Sequence, residues 1–540
     1  MSTFSSALSK NPSNWQFLEP FVRYVLICFT LSTVIGLSWF QGRYQIDPHH
    51  WGLMLSNVQD MVRGRLPYQE IFVQYGILTP IIQSAFYVVL EGTLQSIFFA
   101  TITAYAIGLL GIYCLAYELT SSRKLAIYAF ISCALLHPIV IYPWSNYIAF
   151  PFLVFGLLFY IKGSKNSWNY FLSGGLLSLA VLCREGLLMP IIVFAVSGIL
   201  LKLIYRERFI QGRGLVYFLV GLSFPLTLFF IYLLSYQLLP YWYIDAVLLP
   251  QAYARQFMGN GIWSSVMHMK SYFSFGLRVF DARLMLLSLA VLVSACTCCA
   301  VLLGIGWLRD RWNYFMVGLF SLLLLSSSLH LPELFRLATG MVVGVPLLYF
   351  LANRYKIATL LFLGFSIVSG WTIISNPHNN WFPTTEQRYD GYKGVKPSVF
   401  VGQRWPKKTF DYYQAVQMDL AALQVQNCGI QFHVNDTEDA FLATMSPFNA
   451  FQMAPFGRGL ANSPIPLFDD LRPEFNLQKK MHSSNDLVIL TFEDRKVSNF
   501  ELPKGYFIFS SYQVPAASFI PAGKHLLLLA PLTCISPKIN

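Results

Sequence analysis

The sequence predicts a polytopic α-helical membrane protein of about eleven spans, with interfacial helices in its first outer loop and a small C-terminal extracytoplasmic α/β domain. Three observations carry that expectation. Of 540 residues, 55% are hydrophobic and only 12% charged, more apolar surface than a water-soluble globule can bury. The apolar residues gather into runs approaching or reaching the roughly 17 to 25 residues that a bilayer-crossing helix needs. After Ile374 those runs cease and short apolar stretches separated by polar turns take over.

The net charge of +12 would suit a nucleic-acid binder, but the basic residues sit in small clusters between apolar runs, as they do in cytoplasmic loops. Topology accounts for the charge, so the expected partner is a lipid bilayer and no nucleic acid. At the N-terminus, Phe17, Leu18 and Phe21 are scattered among polar residues and no small-residue cleavage site follows the first run. An uncleaved anchor with Lys10 and Arg23 inside is expected. Spans are expected near 22–40, 95–118, 125–142, 147–161, 169–183, 187–205, 214–236, 284–308, 313–329, 337–352 and 357–374.

The run "GILTPIIQSAFYVVLE", residues 76–91, is short and contains Pro80 and Gln83. If it stays outside, the clusters Arg123/Lys124, Lys162/Lys165, Lys202/Arg206/Arg208/Arg213, Arg309/Arg311 and Arg354/Lys356 all face the cytoplasm; if it crosses, all are inverted. Residues 41–94 therefore form a long outer loop. In it Trp51, Met54, Leu55, Val58 and Val62 recur at helical spacing, with Ser56, Asn57, Asp60 and Arg63 opposite, the pattern of a helix lying in the headgroup plane.

The chain thus divides into a transmembrane module, 1–375, a Pro/Asn/Thr/Gly-rich linker, 376–400, and an outer domain, 401–540. There "NCGIQFHV", "DLVILTF", "YFIFSSY" and "HLLLLAP" read as strands and "KKTFDYYQAVQMDLAAL" as a helix. Cys428 and Cys534 both fall in this domain, as a disulfide or as two buried thiols. The sequence "NDT" at 435–437 is a formal glycosylation acceptor.

Chemistry is signalled by charge at the outer ends of spans. The outer turn "PWSN" has none, whereas "LCREGLL" carries Arg184 and Glu185 and "HLPELFR" carries Glu333 and Arg336. An arginine at that edge is costly; it either snorkels beside its neighbouring acid or serves a ligand. A guanidinium suits phosphate oxygens. With Asp47 on the same side, the outer face offers a carboxylate to take a hydroxyl proton and cations to receive charge on a departing phosphate.

The stretch "D-P-H-H-W-G … G-R-L-P-Y-Q-E-I-F-V-Q-Y-G-I-L" after the first span resembles the GT-C integral-membrane glycosyltransferases that use polyprenyl-phosphate sugars. That group includes protein O-mannosyltransferases, the aminoarabinose transferase of lipid A and rhizobial lipopolysaccharide sugar transferases. The resemblance covers about residues 20–375 and implies that Asp47 is the catalytic carboxylate. It also implies that Arg184 occupies the place of a phosphate-contacting basic residue, usually Lys, and that Arg336 matches an Arg that often precedes Tyr, where Leu337 stands here. Two features depart from the family's pattern: Pro48 replaces a second acid, and Ile77 replaces the Pro common after YG. The implied reaction moves a hexosyl or pentosyl group from a polyprenyl-phosphate donor to a hydroxyl of a glycan, lipid or protein acceptor. It would run with inversion at the outer face of a bacterial inner (plasma) membrane.

The alternative is a lipid-linked-sugar flippase or other transporter, which should show paired halves with mid-span polar residues; the charges here cluster at the outer edge instead. His49, His50, Glu70, Glu185 and Glu333 stand as substrate contacts or, since some relatives use a divalent metal, as metal contacts. Glu70 stands as a second acid or as a partner of Arg63 or Arg65. Asp245, in "YWYIDAVLLPQAYARQ", opens a second outer loop near 237–282 whose aromatics suit an interfacial belt.

Topology is open to thiol labelling. Ser122→Cys should stay protected from an impermeant reagent applied outside while Asp390→Cys reacts; the reverse pattern would mean that residues 76–91 cross the bilayer.

Overall fold

The computed structural model describes residues 13–44, 46–48, 50–73, 75–136, 143–205, 212–251, 312–327, 342–353, 356–375, 397–426, 428, 431–434, 439–445, 450–451, 487–493, 502–515 and 524–534. Helices α1 (Ser13–Tyr44), α4 (Leu94–Thr120), α5 (Arg123–Leu136), α6 (Ser145–Lys162), α7 (Trp168–Cys183), α8 (Leu188–Tyr205) and α9 (Gly212–Ser235) coincide with expected spans. So do α11 (Trp312–Ser326), α12 (Val345–Ala352) and α13 (Lys356–Ser375), with α10 (Leu239–Tyr243) a short helix after α9. Among the described residues, Pro20–Tyr44, Leu94–Thr120, Ser145–Lys162 and Arg213–Ser235 are helices long and apolar enough to cross a membrane. The run expected near 284–308 lies outside the described residues.

The spans assemble around α4, α6 and α7, where Leu109, Ile112, Leu153, Val154, Leu157 and Leu177 are buried together. Charged ends gather on one side: Lys165 pairs with Glu118, and the Tyr314 hydroxyl donates to the Leu119 carbonyl at 2.8 Å. The clusters near 123 and 162 therefore share one end of the bundle, and the loop after α1 packs at the other.

In that loop lie α2 (His50–Val62), which departs from expectation, and α3 (Leu78–Val89). The predicted headgroup-plane helix would turn Ser56, Asn57 and Asp60 to water, yet α2 is buried from Trp51 through Asp60 on every face. Its polar residues find protein partners: Asn57 Nδ2 donates to the Phe72 carbonyl at 3.0 Å, Gln59 Nε2 to Tyr87 Oη at 3.2 Å, and Asp60 pairs with Arg63 and Arg65 at 3.5 and 3.6 Å. On α3, Thr79 and Gln83 turn inward while Ile81, Val88 and Val89 are exposed, so this helix has its apolar side out.

What covers α2 is the C-terminal region. Its sheet runs β2 (Ala450–Phe451), β1 (Gln431–Val434), β3 (Leu487–Glu493), β5 (His525–Pro531), β4 (Tyr506–Gln513). The first three strands are parallel, and β5 is antiparallel to both neighbours. Covered on both faces, β5 buries every residue from Leu526 to Pro531, which is why "HLLLLAP" has no polar alternation. Helix α14 (Lys407–Val425) buries Phe410, Tyr413, Val416, Leu420 and Leu423 at helical spacing. The short α15 (Phe441–Met445) follows β1. Trp51, Leu55 and Val58 of α2, Phe98 of α4, Phe400, Phe441, Leu490 and Leu528 belong to one continuous hydrophobic core.

Backbone clamps flank the start of α2. Arg404 N donates to the Arg43 carbonyl at 2.7 Å, Arg43 Nε to the Gly402 carbonyl at 2.9 Å, and Ala440 N to the Pro48 carbonyl at 2.9 Å. Cys428 is a buried thiol whose Sγ lies 3.6 Å from the Cys534 carbonyl oxygen.

Gly52 makes the approach of α15 possible. A Cβ there would strike the Phe441 amide nitrogen and come within 2.6 Å of the Ala440 carbonyl carbon and 2.8 Å of its Cβ. Since backbone must shift to admit even a methyl, Gly52→Ala should destabilise the protein by about 1–3 kcal/mol. A lowered melting midpoint in detergent would register it, and Gly364→Ala, at a site open to at least 4 Å, serves as the control.

Candidate active site at the outer end of the bundle

Asp47 lies just beyond α1 and caps α2. Its Oδ1 accepts the His50 amide N–H at 2.9 Å, satisfying one of the donors left over at a helix start. Its Oδ2 faces His50 Nδ1 at 2.8 Å. The carboxylate is buried, with a side chain 4% exposed, while the imidazole is 25% exposed. One aspartate therefore sets both the helix start and the orientation of the ring.

From His50 a run of contacts leads to Arg184. The imidazole meets Trp144 edge-on with ring centroids 4.5 Å apart, and Tyr75 packs on Trp144 at 4.6 Å. Next to Tyr75, Gly76 lies directly on the end of α7. A Cβ there would collide with the Leu182 carbonyl oxygen and stand 2.8 Å from the carbonyl carbon of Cys183. Thr79 Oγ1 then donates to the Cys183 carbonyl at 2.8 Å. The "YG" of the first loop is thus the seat on which that loop rests against the residue preceding Arg184.

Arg184 ends α7 with extended backbone and is 6% exposed. Its neighbour Glu185 turns away to other partners. In the outer turn between α7 and α8, Glu185 Oε1 accepts from the Tyr68 hydroxyl at 2.9 Å and from Trp242 Nε1 at 2.8 Å. Burial pushes the Glu185 carboxyl up to about 8; buried Asp245 adds to the rise and the two hydrogen bonds oppose it. Near neutral pH the group is therefore mostly a neutral acid, and its partners are Tyr68 and Trp242 rather than the guanidinium. That removes the reading of Arg184 as a snorkelling residue paired with its adjacent acid. Tyr68 is fully buried at a φ of 69°, a left-handed conformation costly for an aromatic residue, and so is held by its surroundings.

The remaining sequence candidates separate. Glu70 is not the partner of Arg63 or Arg65: its Oε2 accepts the Leu66 amide at 2.7 Å, closing the tight turn at 66–70, and the arginines go to Asp60. Asp245 is buried in a π-helical turn, Ile244–Leu248, within the electrostatic reach of Glu185. His49, Glu333 and Arg336 lie outside the described residues. Asp47 Oδ2 and His50 Nδ1 face each other, and among the described residues no group of three or more His, Cys, Asp or Glu is assembled for an ion.

Trp144, Tyr75, Tyr68 and Trp242 join the site without having been singled out in the sequence. "PWSN" was informative for its tryptophan rather than for its lack of charge, and Tyr68 and Tyr75 stand inside the quoted first-loop stretch.

The Glu185 shift implies a pH dependence. Between its ordinary 4.5 and about 8, the folded state keeps a proton that the unfolded chain has released, so this group's contribution to stability falls as pH rises through that window. Glu185→Gln, neutral throughout, should flatten the decline in melting midpoint between pH 5 and 8.

No protein-family model and no curated protein matches the chain. Among solved structures, ArnT from Cupriavidus metallidurans bound to undecaprenyl phosphate matches with a TM-score of 0.51 at 10% identity, over 98% of this chain and 100% of that one. ArnT from the same organism in the apo state matches with a TM-score of 0.40 at 11% identity, over 97% and 99%. An Archaeoglobus fulgidus oligosaccharyltransferase in the apo form matches with 0.44 at 11%, over 87% and 69%. At such identities the likeness is one of fold, and it runs the length of both chains in the first case. With its helices, C-terminal sheet and first-loop seat disposed in this way, the chain has the fold of the Cupriavidus metallidurans ArnT.

Proposed function

We propose that the protein is a membrane glycosyltransferase that moves a sugar from a polyprenyl-phosphate donor to an acceptor hydroxyl at the outer end of its bundle. The observation that carries this reading is the continuity of Asp47, His50, Trp144, Tyr75 and the Gly76 seat with the end of α7 at Arg184. A carboxylate centre and a cation suited to phosphate thus border one region, in a fold whose ArnT example was crystallised with undecaprenyl phosphate.

In this reading Arg184 grips the donor phosphate and takes up charge as the phosphate departs. Neutral Glu185, held by Tyr68 and Trp242, keeps the turn in place without cancelling that charge. The Asp47 centre removes the acceptor proton. With no carboxylate next in sequence to Asp47, one direct displacement is expected, and the product carries the inverted anomeric configuration. Residues 376–540 then lie outside the membrane, with the sheet region backing the catalytic loop through Ala440 and Phe441.

Deletion of the gene should remove a sugar from a surface glycan, lipid or protein, read by mass spectrometry against the parent strain. Re-expressed Asp47→Asn should restore about 10⁻² to 10⁻⁴ of the transfer rate, with undecaprenyl phosphate binding unchanged. Arg184→Ala should weaken that binding, and Arg184→Lys should recover part of it, keeping charge but losing the forked geometry. An unaltered surface in the deletion strain, or full turnover by Asp47→Asn, would overturn the reading.

A further inference from the structure

The Asp47 centre contains a second group suited to proton transfer. Asp47 directs one oxygen to the His50 backbone and the other to the His50 ring, and the carboxylate is the more buried partner. An acceptor arriving from water therefore reaches the imidazole more readily. A ring that donates from Nδ1 to a carboxylate keeps its Nε2 lone pair as an acceptor, with the carboxylate fixing the tautomer and stabilising the imidazolium once formed. The edge-on contact with Trp144 holds the ring from a second direction. Trp144 in turn leads through Tyr75 and Gly76 to the α7 terminus that bears Arg184. The residue after Asp47 is Pro48, which provides no acid to share the work.

We propose that His50 is the proton acceptor of the transfer reaction, with buried Asp47 as its orienting partner, so that the two act as a carboxylate–imidazole dyad. This deepens, and rests on, the glycosyl-transfer reading. The acceptor oxygen attacks the anomeric carbon as the bond from that carbon to the donor phosphate oxygen breaks, and the polyprenyl phosphate leaves with the electron pair. The acceptor hydroxyl proton passes to His50 Nε2. The Nδ1 proton stays between the ring and Asp47, whose charge stabilises the imidazolium. Water or the departing phosphate then takes the proton from Nε2 and restores the neutral ring.

The test uses full-length protein in nanodiscs, undecaprenyl-phosphate-linked hexoses and pentoses as donor probes, and membrane glycolipids extracted from the deletion strain as acceptors. His50→Gln and His50→Ala should each lower kcat about 10² to 10⁴-fold while binding undecaprenyl phosphate as the wild type does. Added imidazole should restore part of the activity of His50→Ala, whose cavity can admit it, and none of that of Asp47→Asn. Nitrogen NMR of the wild-type imidazole should show Nδ1 protonated and Nε2 bare, with that preference lost in Asp47→Asn. Wild-type kcat in His50→Gln, beside an inactive Asp47→Asn, would overturn the dyad and leave Asp47 as the direct base, with the glycosyl-transfer reading intact. Loss in His50→Ala that imidazole does not relieve, with the opposite tautomer in the wild type, would also return His50 to packing. Failure of the wild type with every donor probe would overturn the transfer reading and the dyad with it.

Discussion

The burial of α2 from Trp51 to Asp60 is the constraint on which this end of the molecule depends. Of the thirteen residues His50–Val62, the ten from Trp51 to Asp60 are buried, with apolar side chains on one face and Ser56, Asn57, Gln59 and Asp60 on another. Left unmatched, such buried groups would cost roughly 1–3 kcal/mol each; Asn57, the Gln59 amide nitrogen and Asp60 find protein partners. The partners come from the first-loop segment, α3 and the arginines that follow α2, and the apolar face is closed by α4 and the sheet region. The C-terminal sheet region is therefore part of the structure that holds Asp47, with clamps at Arg43 and Pro48 on either side of it.

A second organising feature is the division of labour between Arg184 and Glu185. Adjacent opposite charges at a membrane edge ordinarily suggest a pair that neutralises itself. Here the carboxyl is desolvated and receives hydrogen bonds from Tyr68 and Trp242, which come from separate outer loops, so it serves as a neutral junction. The same low-dielectric surroundings that raise the acid strengthen attraction between a guanidinium and an anion.

Much of the transmembrane organisation was legible because hydrophobic runs are a local property of the chain. Runs near 95–118, 147–161, 169–183 and 214–236 return as α4, α6, α7 and α9 within a few residues. Asp47 and Arg184 stand out as candidates for a related reason: charge at the end of an apolar run is conspicuous where the surroundings are greasy. The α2 environment was not, since helical periodicity shows that a helix has two kinds of face but cannot say what covers each. Its cover comes from Ala440 and Phe441, nearly four hundred residues away.

By itself, the sequence determined the helical membrane class, the strand segments of the mixed C-terminal sheet and a first-loop pattern resembling that of the GT-C enzymes, because these reside in composition, periodicity and contiguous motif. Tertiary structure alone decided that Glu70 closes its own turn, that Glu185 belongs to Tyr68 and Trp242, and that Trp144 from a charge-free loop stands against His50. It also decided which partner Asp47 takes, since a carboxylate's protonation and reach depend on what folding brings within hydrogen-bonding distance and on how much water it excludes. Neither quantity is written in the order of neighbouring residues.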